Sequence, residues 1–97
     1  MKVIILPSAE LGVRWFQHYY SHAFPEGRRH AKARFSVTLR VLESSPHIGT
    51  LMQDVAARKI SITGTPFQFI YRVGKGRVEI LKLWDGRGNP DDMTSGI

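Results

Sequence analysis

The chain has 97 residues and contains no cysteine, which excludes disulfide bonds, thiolate nucleophiles and cysteine-based zinc sites. It also lacks any long apolar run, and no stretch approaches the roughly 20 apolar residues needed to span a bilayer. The apolar start, residues 1–6, ends at Pro7 and is too short for the apolar region of a signal peptide. We therefore expect a cytoplasmic protein.

Acidic residues are scarce. Eight Asp and Glu stand against 14 Lys and Arg, so the formal net charge is +6. Such an excess favours nucleic acid or an acidic protein segment as a partner, although a charge that serves only solubility is the alternative. The charge is distributed unevenly: residues 28–40 carry five Lys or Arg and no acid, whereas Asp91 and Asp92 lie near the last residue.

The first half of the sequence predicts one strand and two helices. Residues 2–6 are a short, β-branched run that predicts a strand ending at Pro7. Ser8 offers an N-cap for an amphipathic helix of about four turns, in which Gly12 is expected to cost about 1 kcal/mol relative to alanine. The apolar residues recur at three- and four-residue steps: Ala9, Val13, Phe16, Tyr20 and Ala23.

A second helix is predicted over about residues 27–43, before the stop at residues 44–46. Because residues 24–27 form a short connection, the two helices should pack as an antiparallel hairpin. Residues 47–55 resemble a loop. Three strands follow over residues 58–62, 67–73 and 77–84, with turns at 64–66 and 74–76.

The order β-α-α-β-β-β predicts an α+β fold, with the helical hairpin packed on a small, mainly antiparallel sheet. The length suits one domain, which we place at residues 1–90, followed by a loose polar tail at 91–97. Residues 77–84 have apolar side chains of both parities, so this strand should be central or covered on both faces. The sheet face away from the helices is expected to be free for a partner.

Three stretches carry a resemblance to a known family. Residues 65–73 (TPFQFIYRV) and 77–87 (RVEILKLWDGR) resemble the last two strands of the RelE/ParE superfamily of bacterial toxins, and residues 42–49 (LESSPHIG) resemble its exit from the second helix. The resemblance covers residues 7–90. Arg58 stands where the family often has an arginine, whereas Asp85 stands where many members carry histidine. The first helix lacks the Ala-x-x-Asp-Leu pattern that members often have.

The resemblance implies the toxin of a type II toxin–antitoxin pair, which needs no cofactor or metal and forms a hetero-oligomer with a cognate acidic antitoxin. A toxin of the ParE branch inhibits DNA gyrase by binding and blocks replication. A toxin of the RelE branch is a ribosome-dependent mRNA endonuclease that blocks translation. Asp85 in place of histidine favours the ParE branch, with the endonuclease as the alternative. A third reading is a degenerate member kept as an interaction module.

RNA cleavage would need a base, an acid and cations that hold the phosphate. For that alternative the candidate residues are Arg58, Arg72, Arg87, Tyr71 and Asp85. For target binding under either alternative, the candidate cations are Arg58, Lys59, Arg72, Lys82 and Arg87. Each of these cations has a plainer interpretation as part of a solvated sheet edge or of an ion pair. Since an exposed aspartate is ionised at neutral pH, Asp85→Asn is expected to be nearly silent.

The antitoxin surface is predicted on the helices. The basic second helix is either a solvated face or a docking surface for an acidic antitoxin segment. Trp15 and Tyr19, four residues apart, either extend the core, which we favour, or line that docking groove. The predicted set is Trp15, Tyr19, Arg29, Lys32 and Arg40. His18 and His22 have a spacing that can bind a metal ion, but no third ligand is evident, so no metal site is predicted.

Overall fold

The computed structural model describes residues 1–97 and contains two helices and five strands. The helices are α1 (Glu10–His18) and α2 (Arg28–Ser44). The strands are β1 (Lys2–Ile5), β2 (Thr50–Leu51), β3 (Arg58–Ser61), β4 (Phe67–Gly74) and β5 (Arg77–Asp85). The predicted α+β class and element order are confirmed, with β2 as an addition inside the predicted loop. Two residues show no alternation, so the pattern could not reveal this strand. Neither helix has the length and apolar character to cross a membrane.

The strand order is β1-β5-β4-β3-β2, with β1 parallel to β5 and all other pairs antiparallel. A bulge interrupts the β4–β5 ladder, because Ile70 pairs with Lys82 whereas Tyr71 pairs with Ile80. Leu81 is the extra residue. Strand β5 therefore runs between two neighbours and buries side chains on both faces, as its apolar residues of both parities predicted.

The face of the sheet under the helices, called here the helical face, holds most of the core. Phe67, Phe69 and Tyr71 alternate along β4, and all three are fully buried. Phe16 of α1 meets Phe67 edge-on at a ring separation of 5.0 Å, and Phe35 of α2 meets Phe69 at 5.1 Å. Each such buried ring contributes about 1.5–3 kcal/mol through removal from water, so this face holds the hairpin in place.

Helix α1 lies in direct contact with β5, and Gly12 is the reason. A Cβ atom on Gly12 would collide with the carbonyl oxygen of Leu83. Gly12 therefore does more than lower the helix propensity, because its missing side chain lets the backbones of α1 and β5 approach each other. Ser8 does not cap the helix either; its hydroxyl donates to the carbonyl of Leu81 at 2.7 Å and adds a second tie to β5.

The predicted four-turn helix is divided. Its regular α-helical part ends at His18, and Tyr19–Ala23 form a π-helical turn. A π turn takes one residue more than an α turn, so it shifts the side chains that follow it around the helix axis. Tyr20 is buried and Tyr19 half-buried, and both rings lie 6.0 Å from that of Phe67.

The opposite face of the sheet, called here the outer face, is not free. Ile70 and Leu81 are buried there together with Ala57. Residues from irregular segments pack against these three, among them Met52 and Val55 after β2 and Met93 near the last residue; Leu6 and Trp84 complete the set. The predicted tail at residues 91–97 therefore contacts the outer face through Met93. Their sequence is polar and aperiodic, and a single methionine in such a segment gives no pattern that predicts packing.

Candidate functional site

A polar cluster forms where β5 ends against α1. Asp85, the last residue of β5, receives two hydrogen bonds from the Arg87 guanidinium, at 2.9 Å from Nε and 2.7 Å from Nη2. The Trp15 indole Nε1 donates to the same carboxylate at 2.9 Å, and the Arg87 backbone N–H donates at 3.0 Å. From its other side, Arg87 donates to the Tyr19 hydroxyl at 3.1 Å and lies 4.4 Å from the centre of the Tyr19 ring.

Local sequence explains this arrangement. Trp15 and Tyr19 are four residues apart, so both project from the same side of the helix toward the end of β5. Gly86 lets the chain turn there: its N–H donates to the carbonyl of Pro66 at 2.7 Å, and a Cβ would lie only 2.9 Å from that oxygen. The turn directs the Arg87 side chain back over Asp85 and onto the Tyr19 ring.

The cluster fixes the charge state of both ionised groups. The Arg87 guanidinium is the main cause that lowers the pKa of Asp85 to about 2, and the Trp15 N–H adds to the effect. Asp85 in turn raises the pKa of Arg87 above its ordinary value. About half of the Arg87 side chain remains exposed. Arg87 is therefore a permanently charged, oriented donor that can bind a carboxylate or a phosphate.

Trp15 does not extend the core as expected, since 45% of it is exposed. Its indole lies on the helix side away from the apolar stripe, and its N–H donates a hydrogen bond to the Asp85 carboxylate. Tyr19 does pack partly on the core while holding Arg87. The expectation that Asp85→Asn is nearly silent is likewise revised, because an amide would replace one acceptor oxygen of the pair that orients Arg87.

Tyr71 and Arg58 are structural residues. Tyr71 is fully buried, its hydroxyl accepts a hydrogen bond from the Gly49 N–H at 2.8 Å, and burial raises the pKa of its phenol. Arg58 donates to the carbonyls of His47 and Gly49, at 3.2 and 2.9 Å. Together they hold the segment between α2 and β2 against the sheet. Tyr71 is therefore withdrawn from the candidate proton-transfer groups.

The remaining predicted cations lie on the outer face. Arg72 donates to Glu79 at 2.6 Å, and Arg77 donates to the other oxygen of the same carboxylate. Glu79 is buried, and these two bonds, that of Arg72 first, lower its pKa. Lys59 and Lys82 flank Ile70 in one cross-strand row of the sheet. The five predicted target-binding cations therefore divide among three places and do not converge on one site.

A cleft of about 300 Å³ opens between the two helices. Phe16, Tyr20 and Phe35 supply apolar walls, whereas Arg28 and Lys32 supply the charge. Lys32 is the one predicted antitoxin residue that lines this cleft. Arg29 and Arg40 are exposed elsewhere on α2, and Trp15 and Tyr19 lie at the β5 end. Arg28 belongs to the basic run over residues 28–40 but was left out of the predicted antitoxin set, although it stands four residues from Lys32 on the same helix.

Comparison with known proteins identifies the fold. No protein-family model matches the sequence, and no curated protein matches it. Among solved structures, a chain described as the chromosomal ParDE TA (toxin–antitoxin) system from P. aeruginosa superimposes with a TM-score of 0.67. The match covers 86% of this chain and 92% of that one at 19% identity. The two chains share a fold.

The histidines add no site to that fold. His18 and His22 stack at a ring separation of 4.4 Å on the exposed side of the helix, and His18 also stacks on Trp15. No group of three or more His, Asp or Glu side chains is placed to hold a metal ion. The most defined polar constellation of the chain is therefore the one built around Arg87.

Proposed function

We propose that this chain is the toxin of a type II toxin–antitoxin pair and that it acts by binding, with DNA gyrase as target and blocked replication as the consequence. The observation that carries the proposal is the oriented, half-exposed Arg87, whose partner carboxylate Asp85 is held ionised beside it. The fold shared with a chain from a ParDE system supports the toxin assignment. Such partners would place the protein in the cytoplasm.

Binding is favoured over cleavage because Arg87 can hold an anion, whereas Asp85 and Tyr71, the two residues named for proton transfer, are poorly suited to it. Asp85, with a pKa of about 2, is ionised at neutral pH and has no proton to give. As a base it is equally poor, since its oxygens already accept hydrogen bonds from Arg87 and Trp15. Tyr71 lies buried beneath the sheet surface with a raised pKa. The RelE-like endonuclease is therefore the second reading.

The cleft between the helices is the proposed antitoxin surface. Its aromatic walls suit an apolar side chain, and Arg28 and Lys32 suit carboxylates on either side of it. An amphipathic, acidic segment that folds on binding has this combination. The antitoxin proposed here is a small acidic protein encoded by a neighbouring reading frame.

The mechanism is tested by inducing the chain briefly in cells, measuring replication and sequencing RNA ends. We expect replication to stop, purified gyrase to lose supercoiling activity in the presence of the chain, and ribosome-bound mRNA to stay intact. Arg87→Ala should weaken gyrase inhibition about tenfold or more, since it removes a charged donor. Lys75→Asn is the matched control: it removes a cation at the far end of the sheet, and asparagine tolerates the φ of 56° there. New mRNA cuts at defined codon positions that Arg87→Ala abolishes would contradict gyrase binding and show that the chain is an endonuclease.

The antitoxin surface is tested with charge reversals on α2. Arg28→Glu with Lys32→Glu should slow association with the acidic partner and reduce its dependence on salt. Arg29→Glu with Arg40→Glu is the matched control, because it changes the net charge equally outside the cleft. Equal effects from both pairs, measured by stopped-flow kinetics over a range of salt, would mean that overall charge and not the cleft recruits the partner.

A further inference from the structure

Helix α2 carries its charges in the reverse of the usual order. Its first turn holds Arg28 and Arg29 and no acid, whereas its last turn holds Glu43 and no base. The helix macrodipole favours anions at the first turn and cations at the last, as in α1, which has Glu10 first and His18 last. The charges of α2 therefore cost helix stability, and a local conflict of this kind is expected where a surface has a function beyond the fold.

The cations of α2 also lack partners within the chain. None of the four ion pairs in the fold involves this helix. Arg28 and Lys32 are accounted for by the cleft between the helices, which they line. Arg29 and Arg40 are exposed outside that cleft, and no acid of the chain neutralises them. Two exposed guanidinium groups without an internal partner are available to an anion from outside.

Arg29 and Arg40 belong to one ridge on the solvent side of α2. Arg29, Ala33, Ser36 and Arg40 follow one another at steps of four, three and four residues, and all four are exposed. This set is called here the α2 ridge, and the buried residues of the helix lie on its other side. Along a regular helix the two arginines are about 16 Å apart. The two ridge residues between them are small, so a broad surface can come close to the helix.

This geometry matches the backbone of a DNA duplex. The major groove of B-DNA is about 12 Å wide, so a helix laid across it brings one arginine to the phosphates of each groove wall. A single strand would need exposed aromatic rings for base stacking, and the α2 ridge has none. An acidic peptide would need an apolar anchor site, which Ala33 and Ser36 do not form. A rigid polyanion is the ligand that fits.

We propose that the α2 ridge is a binding site for double-stranded DNA, in which Arg29 and Arg40 hold phosphates on the two sides of the major groove. Phosphates carry no sequence information, so this binding is independent of base sequence. The inference goes beyond the proposed function, because neither the Arg87 cluster nor the two cations that line the cleft take part in it.

The test titrates the full chain into a fluorescein-labelled DNA duplex of mixed sequence and follows fluorescence anisotropy at several salt concentrations. Binding through phosphates alone is expected in the range of roughly 1–100 μM at physiological salt. Arg29→Gln with Arg40→Gln should weaken this binding about tenfold or more at low salt, because two charged donors are lost. The slope of log affinity against log salt should become shallower by about 2, since two fewer counterions are released.

A control chain loses two cations elsewhere. Arg14→Gln with Lys75→Asn changes the net charge equally, at an exposed position of α1 and at the turn after β4, where asparagine tolerates the φ of Lys75. Charges farther than about 10 Å from the DNA are screened at 0.1 M salt, so this chain should keep the native slope and lose less than about twofold in affinity. A loss equal to that of the ridge variant would overturn the proposal, because net charge alone would then explain the binding.

A second pair of variants separates charge from size. Ala33→Glu places a carboxylate between the two arginines, whereas Ala33→Gln adds a side chain of the same size without charge. Both new residues are good helix formers, so α2 should stay intact. The acid should bind DNA at least about fivefold more weakly than the amide at low salt, because it repels phosphates. Equal affinity of the two chains would contradict phosphate contact at the α2 ridge.

The nature of the ligand is tested with two competing probes, a single DNA strand and an RNA duplex of the same sequence. Tighter binding of either probe than of the DNA duplex would show that the proposed ligand is wrong, as would an unchanged salt slope in the ridge variant. The ridge variant should still associate with the antitoxin at the native rate, because Arg29 and Arg40 lie outside the cleft. Failure of this proposal and failure of the proposed function are therefore distinguishable.

Discussion

The two faces of the sheet are built in different ways. On the helical face, 12 buried residues form one core, supplied mostly by the α-helices and strands. On the outer face, only three buried apolar residues form a cluster, and much of its cover comes from the stretch after β2 and from segment 89–97, which have little regular structure. The helical face therefore carries the stability of the fold. The cover of the outer face makes few buried contacts, so it should open before the core does.

The largest expected effect is on the helical face. Phe69→Ala should lower the free energy of unfolding by about 3–5 kcal/mol, since it leaves a cavity among well-packed rings. Urea denaturation of the variant and the native chain measures it. If the free energy of unfolding fell by less than about 1 kcal/mol, the helical face would tolerate truncation as an exposed surface does. The two faces would then not differ in their contribution to stability.

A second substitution tests how α1 is seated on β5. Gly12→Ala should destabilise the fold by about 1–3 kcal/mol, because the new methyl group meets the Leu83 carbonyl. Helix propensity alone predicts the opposite sign, a gain of about 1 kcal/mol. Thermal melts therefore distinguish the two effects: a collision with the Leu83 carbonyl lowers the melting temperature, whereas a gain in helix propensity raises it. Gln17→Ala, on the exposed side of the same helix, is the control and should be close to neutral.

The stability that the contact between α1 and the end of β5 contributes should depend on pH. The pKa of Asp85 is about 2 in the fold against an ordinary 3.8, so the unfolded chain binds its proton first. The stability that Asp85 contributes is complete above about pH 4 and is lost as pH falls toward 2. Unfolding measured from pH 6 to pH 2 should show a shallower acid decline in Asp85→Asn than in the native chain. Parallel declines would mean that the carboxylate adds nothing to this contact.

The smallest effect is expected on the outer face. Met93→Ala should cost about 1 kcal/mol or less, because the methionine is only partly buried and its segment can detach without unfolding the sheet. Urea denaturation should show a slight change in midpoint, whereas amide exchange in segment 89–97 should speed up markedly. If Met93→Ala lowered the free energy of unfolding as much as Phe69→Ala does, both faces would contribute equally to the stability of the fold.

The same contrast explains what the sequence could predict. The alternation of Phe67, Phe69 and Tyr71 and the helical spacing of Phe16 and Tyr20 identify the elements of the helical face directly. The outer-face cover escapes such reasoning, because a single Met93 in a polar segment has no period. The two-residue β2 escapes it for the same reason.

The candidate site was predicted only in part. Arg87 and Asp85 were named, yet their partnership with Trp15 and Tyr19 joins positions about 70 residues apart, which no local pattern connects. The role of Gly12 depends on how closely a strand passes, and that distance is set by tertiary packing. Glu79 was given no role, although an acid in the middle of an apolar strand with basic residues on both sides is a signal that could have been used.

The parallel pairing of β1 with β5 has a consequence for synthesis. Lys2 of β1 pairs with Arg77, so the first strand made has its partner in the last strand, about 75 residues later. At about 5–20 residues per second, the ribosome needs roughly 4–15 s to produce that partner. Throughout this interval β1 is an unpaired edge, and the long loop must close before it is paired. The nascent chain is thus open to capture by another protein for seconds before it can complete its own sheet.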